Sequence, residues 1–269
     1  MPTPEELSAF LHERLESQLG RVHSSTVPVY LESRPVPQHV GSGVLLRIGE
    51  EKFMFTAAHV ADFRLKGQLY LGGESFPIRM SGTVTHTRPP QDDRLRDKLD
   101  AAVIHLSEEV TGHLREHEFL EIAEVDAASG PRHDDFFLVA GFPCTKQRFV
   151  PNGSTIEALL YPFVAVSKLG SSYDSESLNA DYHVLLGFNK KEMWRRDLGR
   201  VTAPDLYGIS GGGIWWLPEY DGPDARPPKL HAIAIEWHSG RQRQVLGTRV
   251  HVLLSAIWRD FPALRDLLP

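Results

Sequence analysis

Ser210 stands between glycines in Tyr207-Gly208-Ile209-Ser210-Gly211-Gly212-Gly213, and an apolar run, Ile214-Trp215-Trp216, follows at once. Glycine on either side lets the backbone approach a ligand closely. It also frees N–H groups to face a developing negative charge. That setting suits an acyl-transfer nucleophile, provided a base takes its proton and a third group orients the base. Two upstream stretches supply those residue types. In Phe53-Met54-Phe55-Thr56-Ala57-Ala58-His59-Val60, a histidine follows a strand-like run and two alanines. In Leu99-Asp100-Ala101-Ala102-Val103-Ile104-His105-Leu106, an aspartate opens an apolar run, where a carboxylate is costly to bury unless hydrogen-bonded. His59 is thus the candidate base, Asp100 its orienter and Ser210 the nucleophile. The chain has 13 histidines, so only the small-residue setting at a strand end singles out His59. Each residue also has a bland reading: a Gly-rich turn for Ser210, a buried structural histidine for His59, a strand-start turn for Asp100.

The elements that must position these groups are short and β-rich. Runs at 27–31, 43–48, 52–56, 68–71, 75–80, 83–87 and 101–106 are separated by turn signals such as Gly49-Glu50-Glu51 and Gly72-Gly73. A second series follows at 136–141, 155–166, 182–188, 214–217, 230–237 and 245–252. Regular spacing of this kind predicts a barrel or sandwich. Thr3, Pro4, Glu5 and Glu6 open a helix over 3–19, with an apolar stripe of Leu7, Phe10, Leu11, Leu15 and Leu19 that Gly20 stops. Ile257, Trp258, Phe261, Leu264 and Leu267 give helical spacing over 255–268, with Pro262 as a break.

Composition excludes several function classes. The net charge of −6 leaves no basic footprint for nucleic acid. No apolar run has the length of a membrane span, and the acidic, amphipathic start is not a secretory leader. The single cysteine, Cys144, rules out a disulfide within the chain. No Cys/His cluster has zinc spacing and no acidic loop resembles a calcium site, so neither metal nor other cofactor is expected.

The blocks Thr56-Ala57-Ala58-His59, Asp100-Ala101-Ala102-Val103-Ile104 and Gly208-Ile209-Ser210-Gly211-Gly212, in the order His, Asp, Ser, resemble the trypsin-like (chymotrypsin-fold) serine peptidases over about residues 36–260. The resemblance implies an all-β fold of two six-stranded Greek-key β-barrels with a helix at each end. The expected organisation is an N-terminal helix over 1–20, a first barrel over 21–115 carrying His59 and Asp100, a connection over 116–135, a second barrel over 136–254 carrying Ser210, and a C-terminal helix over 255–269. It also implies an oxyanion hole from the backbone N–H groups of Gly208 and Ser210. Secreted relatives carry several disulfides, so one cysteine points to a reducing, cytoplasmic setting and an intracellular, bacterial-type member. In secreted zymogens an aspartate just before the serine pairs with a newly cut N-terminus; Ile209 stands there and cannot.

Gly208-Ile209-Ser210-Gly211-Gly212 also fits the nucleophile elbow of α/β-hydrolases. That elbow runs into a helix, whereas three glycines and two tryptophans ending at Pro218 are poor helix material, and the upstream βαβ alternation is missing. By resemblance, the primary substrate pocket is lined near Pro204, Asp205, Glu236, Trp237 and Val245. Asp205 or Glu236 would make it acidic and select Arg or Lys. Pro204 and Val245 would close a small or apolar pocket, which is the favoured reading. The expected activity is a serine endopeptidase acting on protein or peptide substrates. The alternatives are a partner-activated effector peptidase with one dedicated substrate, docked through the N-terminal helix, and a degenerate peptidase that serves as a peptide-binding scaffold.

Overall fold

The computed structural model describes residues 18–269 apart from 35, 74–76, 129, 131, 133–134, 150–155, 169, 196–198, 219–225 and 239–242. The first sheet is built from β1 (Thr26–Leu31), β2 (Gln38–Ile48), β3 (Glu51–Ala57), β4 (Leu69–Leu71), β5 (Ile78–Arg79), β6 (Gly82–His86) and β7 (Ala101–Leu106), in the order β5-β4-β1-β2-β3-β7-β6. A short β8 (Leu120–Glu121) pairs parallel with β2. Then come β9 (Phe136–Gly141), β10 (Gln147–Phe149), β11 (Ile156–Ala158), β12 (Tyr161–Val166), β13 (His183–Gly187), β14 (Met193–Arg195), β15 (Gly199–Val201), β16 (Gly213–Trp216), β17 (Lys229–His238) and β18 (Gln244–Arg249). Six of these form the second sheet in the order β12-β9-β16-β17-β18-β13, and β10–β11 and β14–β15 are separate hairpins. A bridge between Ser167 and Leu186 brings the two ends of this sheet together. Two curled antiparallel sheets with few helices make the trypsin-like double barrel that the sequence predicts.

The central strands read as continuous apolar runs because both of their faces are buried. Along β2, Val44, Leu46 and Ile48 enter one core while Leu45 enters another; along β3, Phe53 and Phe55 part from Met54 in the same way. One face of each strand fills the first barrel. The other meets Leu138, Trp215, Leu230 and Ile233 of the second sheet. A third core, with Phe137, Val139, Ile214 and Val245, fills the second barrel. Successive side chains on a strand point to opposite faces, so one strand can serve two cores only if both parities are apolar.

The helices depart from expectation at their ends. The predicted N-terminal helix over 3–19 lies mostly outside the described residues, but helical backbone at 18–24 runs through Gly20 rather than stopping there. Leu19 and Val22 pack on the shared core, and the Arg21 guanidinium pairs with Glu124 and Glu118 of the connection. Packing and that ion pair outweigh the modest cost of a helical glycine. At the other end the predicted strand 245–252 stops at Arg249. Helix α4 starts at Val250 instead of 255 and runs to Asp260, after α1 (Ala58–Ala61), α2 (Glu108–His113) and α3 (Gly170–Glu176). Val250, Leu253, Leu254 and Ile257 put one helical stripe on the core between the sheets, and this tertiary face overrides the β-propensity of Val250 and Val252. A separate 3₁₀ turn follows from Pro262. No helix among the described residues is long and apolar enough to cross a membrane.

Candidate active site

Strand β3 ends at Ala57 and α1 begins at Ala58, so His59 stands in the turn of a strand-to-helix junction. Ala57, Ala58 and Ala61 are fully buried, which fits the small residues that mark this stretch. Asp100 sits immediately before β7, the neighbour of β3, with a φ of +37°. Its three acceptors all go to one dipeptide. The carbonyl accepts from the N–H of Ala58 (2.8 Å), Oδ1 accepts from the N–H of His59 (2.8 Å), and Oδ2 lies 2.5 Å from His59 Nδ1. A carboxylate oxygen can only accept, so it selects the imidazole tautomer protonated at Nδ1 and leaves Nε2 as the basic nitrogen.

The segment leading to Asp100 is held by both sheets. Within the first, Arg94 and Thr87 bind it. From the second, Thr248 Oγ1 donates to the Leu99 carbonyl and the His183 Nε2 faces the Lys98 carbonyl at 2.9 Å. Lys98 Nζ donates to the carbonyls of Glu176 and Ser177 at the end of α3 (2.7 and 3.0 Å).

Ser210 lies in the loop before β16. Gly208 has a φ of +97°, and a Cβ there would sit 2.7 Å from Cys144 Sγ and 2.9 Å from the His39 ring. Gly211 has a φ of +87°, and a Cβ there would collide with the Ser42 carbonyl at 1.9 Å. Both positions require glycine for backbone angle and for space. Between them Ile209 is 2% exposed and joins the second-barrel core, with Cγ1 against Gly141.

The loop's other polar groups are occupied. Ile209 N–H donates to Leu206 O (2.9 Å), Gly211 N–H to Ala234 O (2.7 Å) and Gly212 N–H to Ile209 O (2.8 Å). Ser42 of β2 holds the loop from the first sheet. Its N–H donates to Ser210 O (2.7 Å), and its hydroxyl donates to Gly208 O (3.0 Å) while accepting from Phe142 N–H (2.9 Å). Among the described residues, no protein acceptor takes the N–H of Gly208 or of Ser210. These two N–H groups flank the buried Ile209 side chain. The Ser210 hydroxyl donates to the Ile235 carbonyl at 3.4 Å, and no hydrogen bond joins it to His59.

Beneath Gly208, His39 Nδ1 and Cys144 Sγ are 3.2 Å apart. Burial pulls the His39 imidazole down to about 4 and pushes the Cys144 thiol up to about 11, so both are neutral at pH 7. A protonated thiol without a cationic neighbour is a poor nucleophile.

The structure brings His59 and Asp100 into contact and sets the Ser210 backbone beside the same turn: a Cβ on Gly41 would meet both Val60 of α1 and the Ser210 carbonyl. Of the residues read as lining the pocket, Trp237 and Val245 are cross-strand partners on β17 and β18 and share the second-barrel core with Ala203 and Leu206, which flank Pro204 and Asp205. Asp205 is exposed and pairs with Lys190 (2.5 Å), and Glu236 is exposed and pairs with His238 (3.0 Å). Pro204 is half-buried, Trp237 packs edge-on to Phe188 at 6.3 Å between centroids, and Val245 is fully buried in the second core. Ser42 is a supporting residue that the sequence does not single out, because its hydroxyl partners, Gly208 O and Phe142 N–H, are far away along the chain.

No protein-family model and no curated protein matches this chain. Among solved structures it is similar to one described as GrC, with a TM-score of 0.52 at 17% identity, over 88% of this chain and 93% of that one. At that identity the likeness speaks for the fold alone.

Proposed function

We propose that this chain is a serine endopeptidase that cleaves peptide bonds through an acyl-enzyme. The observation that carries the reading is the engagement of both Asp100 carboxylate oxygens by His59, which presents Nε2 as a base beside the Ser210 loop. Ser210 Oγ attacks the scissile carbonyl as His59 Nε2 takes its proton. The free N–H groups of Gly208 and Ser210 stabilise the oxyanion. His59 returns the proton to the leaving amine, and water then releases the acyl group by the same route.

The preferred substrate presents a small or apolar residue next to the scissile bond. Support comes from Asp205 and Glu236, which are both exposed and each paired with a cationic or imidazole neighbour. One cysteine and no intrachain bridge support a reducing, cytoplasmic setting and an intracellular, bacterial-type subtype. The division at 21–115 and 136–254 into two barrels belongs to the same proposal.

A second reading, a peptidase switched on by its substrate or by a partner, is favoured by the Ser210 hydroxyl, which is turned to Ile235 O rather than to His59. A partner docked through residues 1–20 is one form of that switch.

A fluorophosphonate probe tests the reading. It is expected to label Ser210 in the wild type and to fail on Ser210→Ala and on His59→Ala. Labelling that survives His59→Ala overturns the assignment of base and nucleophile. Peptide binding by a chain that never labels, with or without candidate partners, leaves the scaffold alternative in its place.

A further inference from the structure

Asp100 does not hold its conformation by itself. A φ of +37° is in the left-handed region, uncommon for a residue with a side chain, and it persists only when the surroundings fix it. On the side of the first sheet, those surroundings include a network centred on Arg94. Its Nε donates to Asp62 Oδ2 (2.8 Å), and Asp62 directly follows α1, the turn that carries His59. Its Nη1 donates to Asp97 Oδ2 (2.5 Å) and to the Thr87 carbonyl (2.9 Å). Its Nη2 lies 3.1 Å from His86 Nδ1. Thr87 extends the network in both directions: its hydroxyl donates to Asp97 and accepts from the N–H of Ala101 (3.1 Å), and its own N–H donates to the Ala101 carbonyl (2.9 Å).

We propose that Arg94 is a positioning residue that ties the turn bearing His59 to the strand start bearing Asp100, and so sets the geometry of that pair. This rests on the peptidase reading above. A single planar guanidinium reaches the acid after α1, the acid three residues before Asp100 and the carbonyl beside Ala101 in one plane of donors. A lysine, with one ammonium on a flexible stem, cannot serve all three directions together. The Asp97 side chain is only 5% exposed, so losing its donors would strand buried acceptor atoms. None of Arg94, Asp62, Asp97 or Thr87 touches the reacting atoms. Their effect passes through Asp100 and His59.

Two measurements test this. The first is a double-mutant cycle on the fluorophosphonate inactivation rate. Arg94→Gln and Asp62→Ala are each expected to slow inactivation about tenfold in the wild-type background and by less than about twofold in an Asp100→Asn background, because residues acting through one contact are non-additive. The second is the low-field proton resonance of the hydrogen bond between His59 Nδ1 and Asp100, read by ¹H NMR on the intact chain. It is expected in the wild type and is expected to move or broaden in both variants. Asp62→Ala removes only the arm to α1 and leaves the buried Asp97 paired, so it decides the matter if Arg94→Gln fails to fold. Equal slowing in both backgrounds, or an unmoved resonance in a folded variant, overturns the proposal, as does a wild type without the resonance. A wild type that shows the resonance but never labels refutes the peptidase reading, and the shift in the variants still decides the role of Arg94.

Discussion

On the first sheet, Asp100 has its carbonyl and both carboxylate oxygens engaged by Ala58 and His59, whereas on the second sheet the Ser210 hydroxyl makes one long hydrogen bond to Ile235 O. On the proposed reading, the base and its orienter are thus assembled within the folded chain, and the nucleophile is not joined to them by a hydrogen bond. The oxyanion loop is intermediate, with its backbone fixed from both sheets and two donors left free. The difference teaches where reorganisation is concentrated. Proton-transfer contacts often tighten only when substrate arrives.

The largest expected effect comes from breaking the assembled half. Asp100→Asn is expected to lower turnover about 10⁴-fold, because an amide can donate to the imidazole and select the wrong tautomer. Steady-state kinetics on a peptide substrate checks this, and an unchanged rate would remove Asp100 from the site.

The support under the Ser210 loop is expected to be acid-sensitive through His39. His39 titrates at about 4 when folded, pulled down by burial, against about 6.5 when unfolded. A lowered folded value means that the unfolded chain binds the extra proton first. The stability from keeping His39 neutral is complete above about pH 6.5 and is lost as pH falls toward 4, about 3 kcal/mol in all. Urea midpoints between pH 7 and 4 should show this slope, and His39→Gln should flatten it. A slope unchanged by His39→Gln assigns the acid sensitivity elsewhere.

A smaller effect is expected from loosening the loop without touching the triad. Ser42→Ala removes the donor to Gly208 O and strands the N–H of Phe142, which is expected to cost about 1–3 kcal/mol. If the bond orients the free donors, kcat falls by about tenfold or more at nearly constant KM, the signature of an interaction made in the transition state. A rise in KM alone would say that Ser42 serves substrate binding instead.

The smallest effect belongs to Ile209→Val, a loss of one methylene in a packed side chain, expected to cost less than about 1.5 kcal/mol and to leave labelling intact. The same packing predicts full reactivity in a chain whose N-terminus is blocked by a tag. Reactivity that appears only after proteolysis, and vanishes when the new amine is acetylated, would contradict it.

Much of this was legible in the residues. The seven apolar runs from Val27 to Leu106 and the six later ones each overlap a strand, because turn residues interrupt them and β-branched and aromatic residues fill them. The match is partial in places: 155–166 divides into β11 and β12 of different sheets, 245–252 ends in helix, and the described strand within 75–80 is only Ile78–Arg79. The small residues around His59 and the glycines around Ser210 marked positions where the backbone must come close. Other features were hidden because they depend on partners distant in sequence. Arg94 sits in a charged loop and looks like solvated surface until Asp62 and Asp97 are seen around it. Val250 and Val252 read as strand, and only the core between the sheets makes them helical. The charges of Asp205 and Glu236 carried no information about direction, and direction is what a pocket needs.

Lys98 and Leu99 are gripped by Thr248, His183 and the end of α3, all from the second half of the chain, although Asp100 itself begins a strand of the first. The carboxylate therefore works as a gauge of how the two barrels are seated. A small rotation between them would pull on these carbonyls, one and two residues from the aspartate. A molecule wedged far from Ser210 could silence the chemistry by that leverage alone, and each half produced separately would lack the grip that keeps the imidazole aligned.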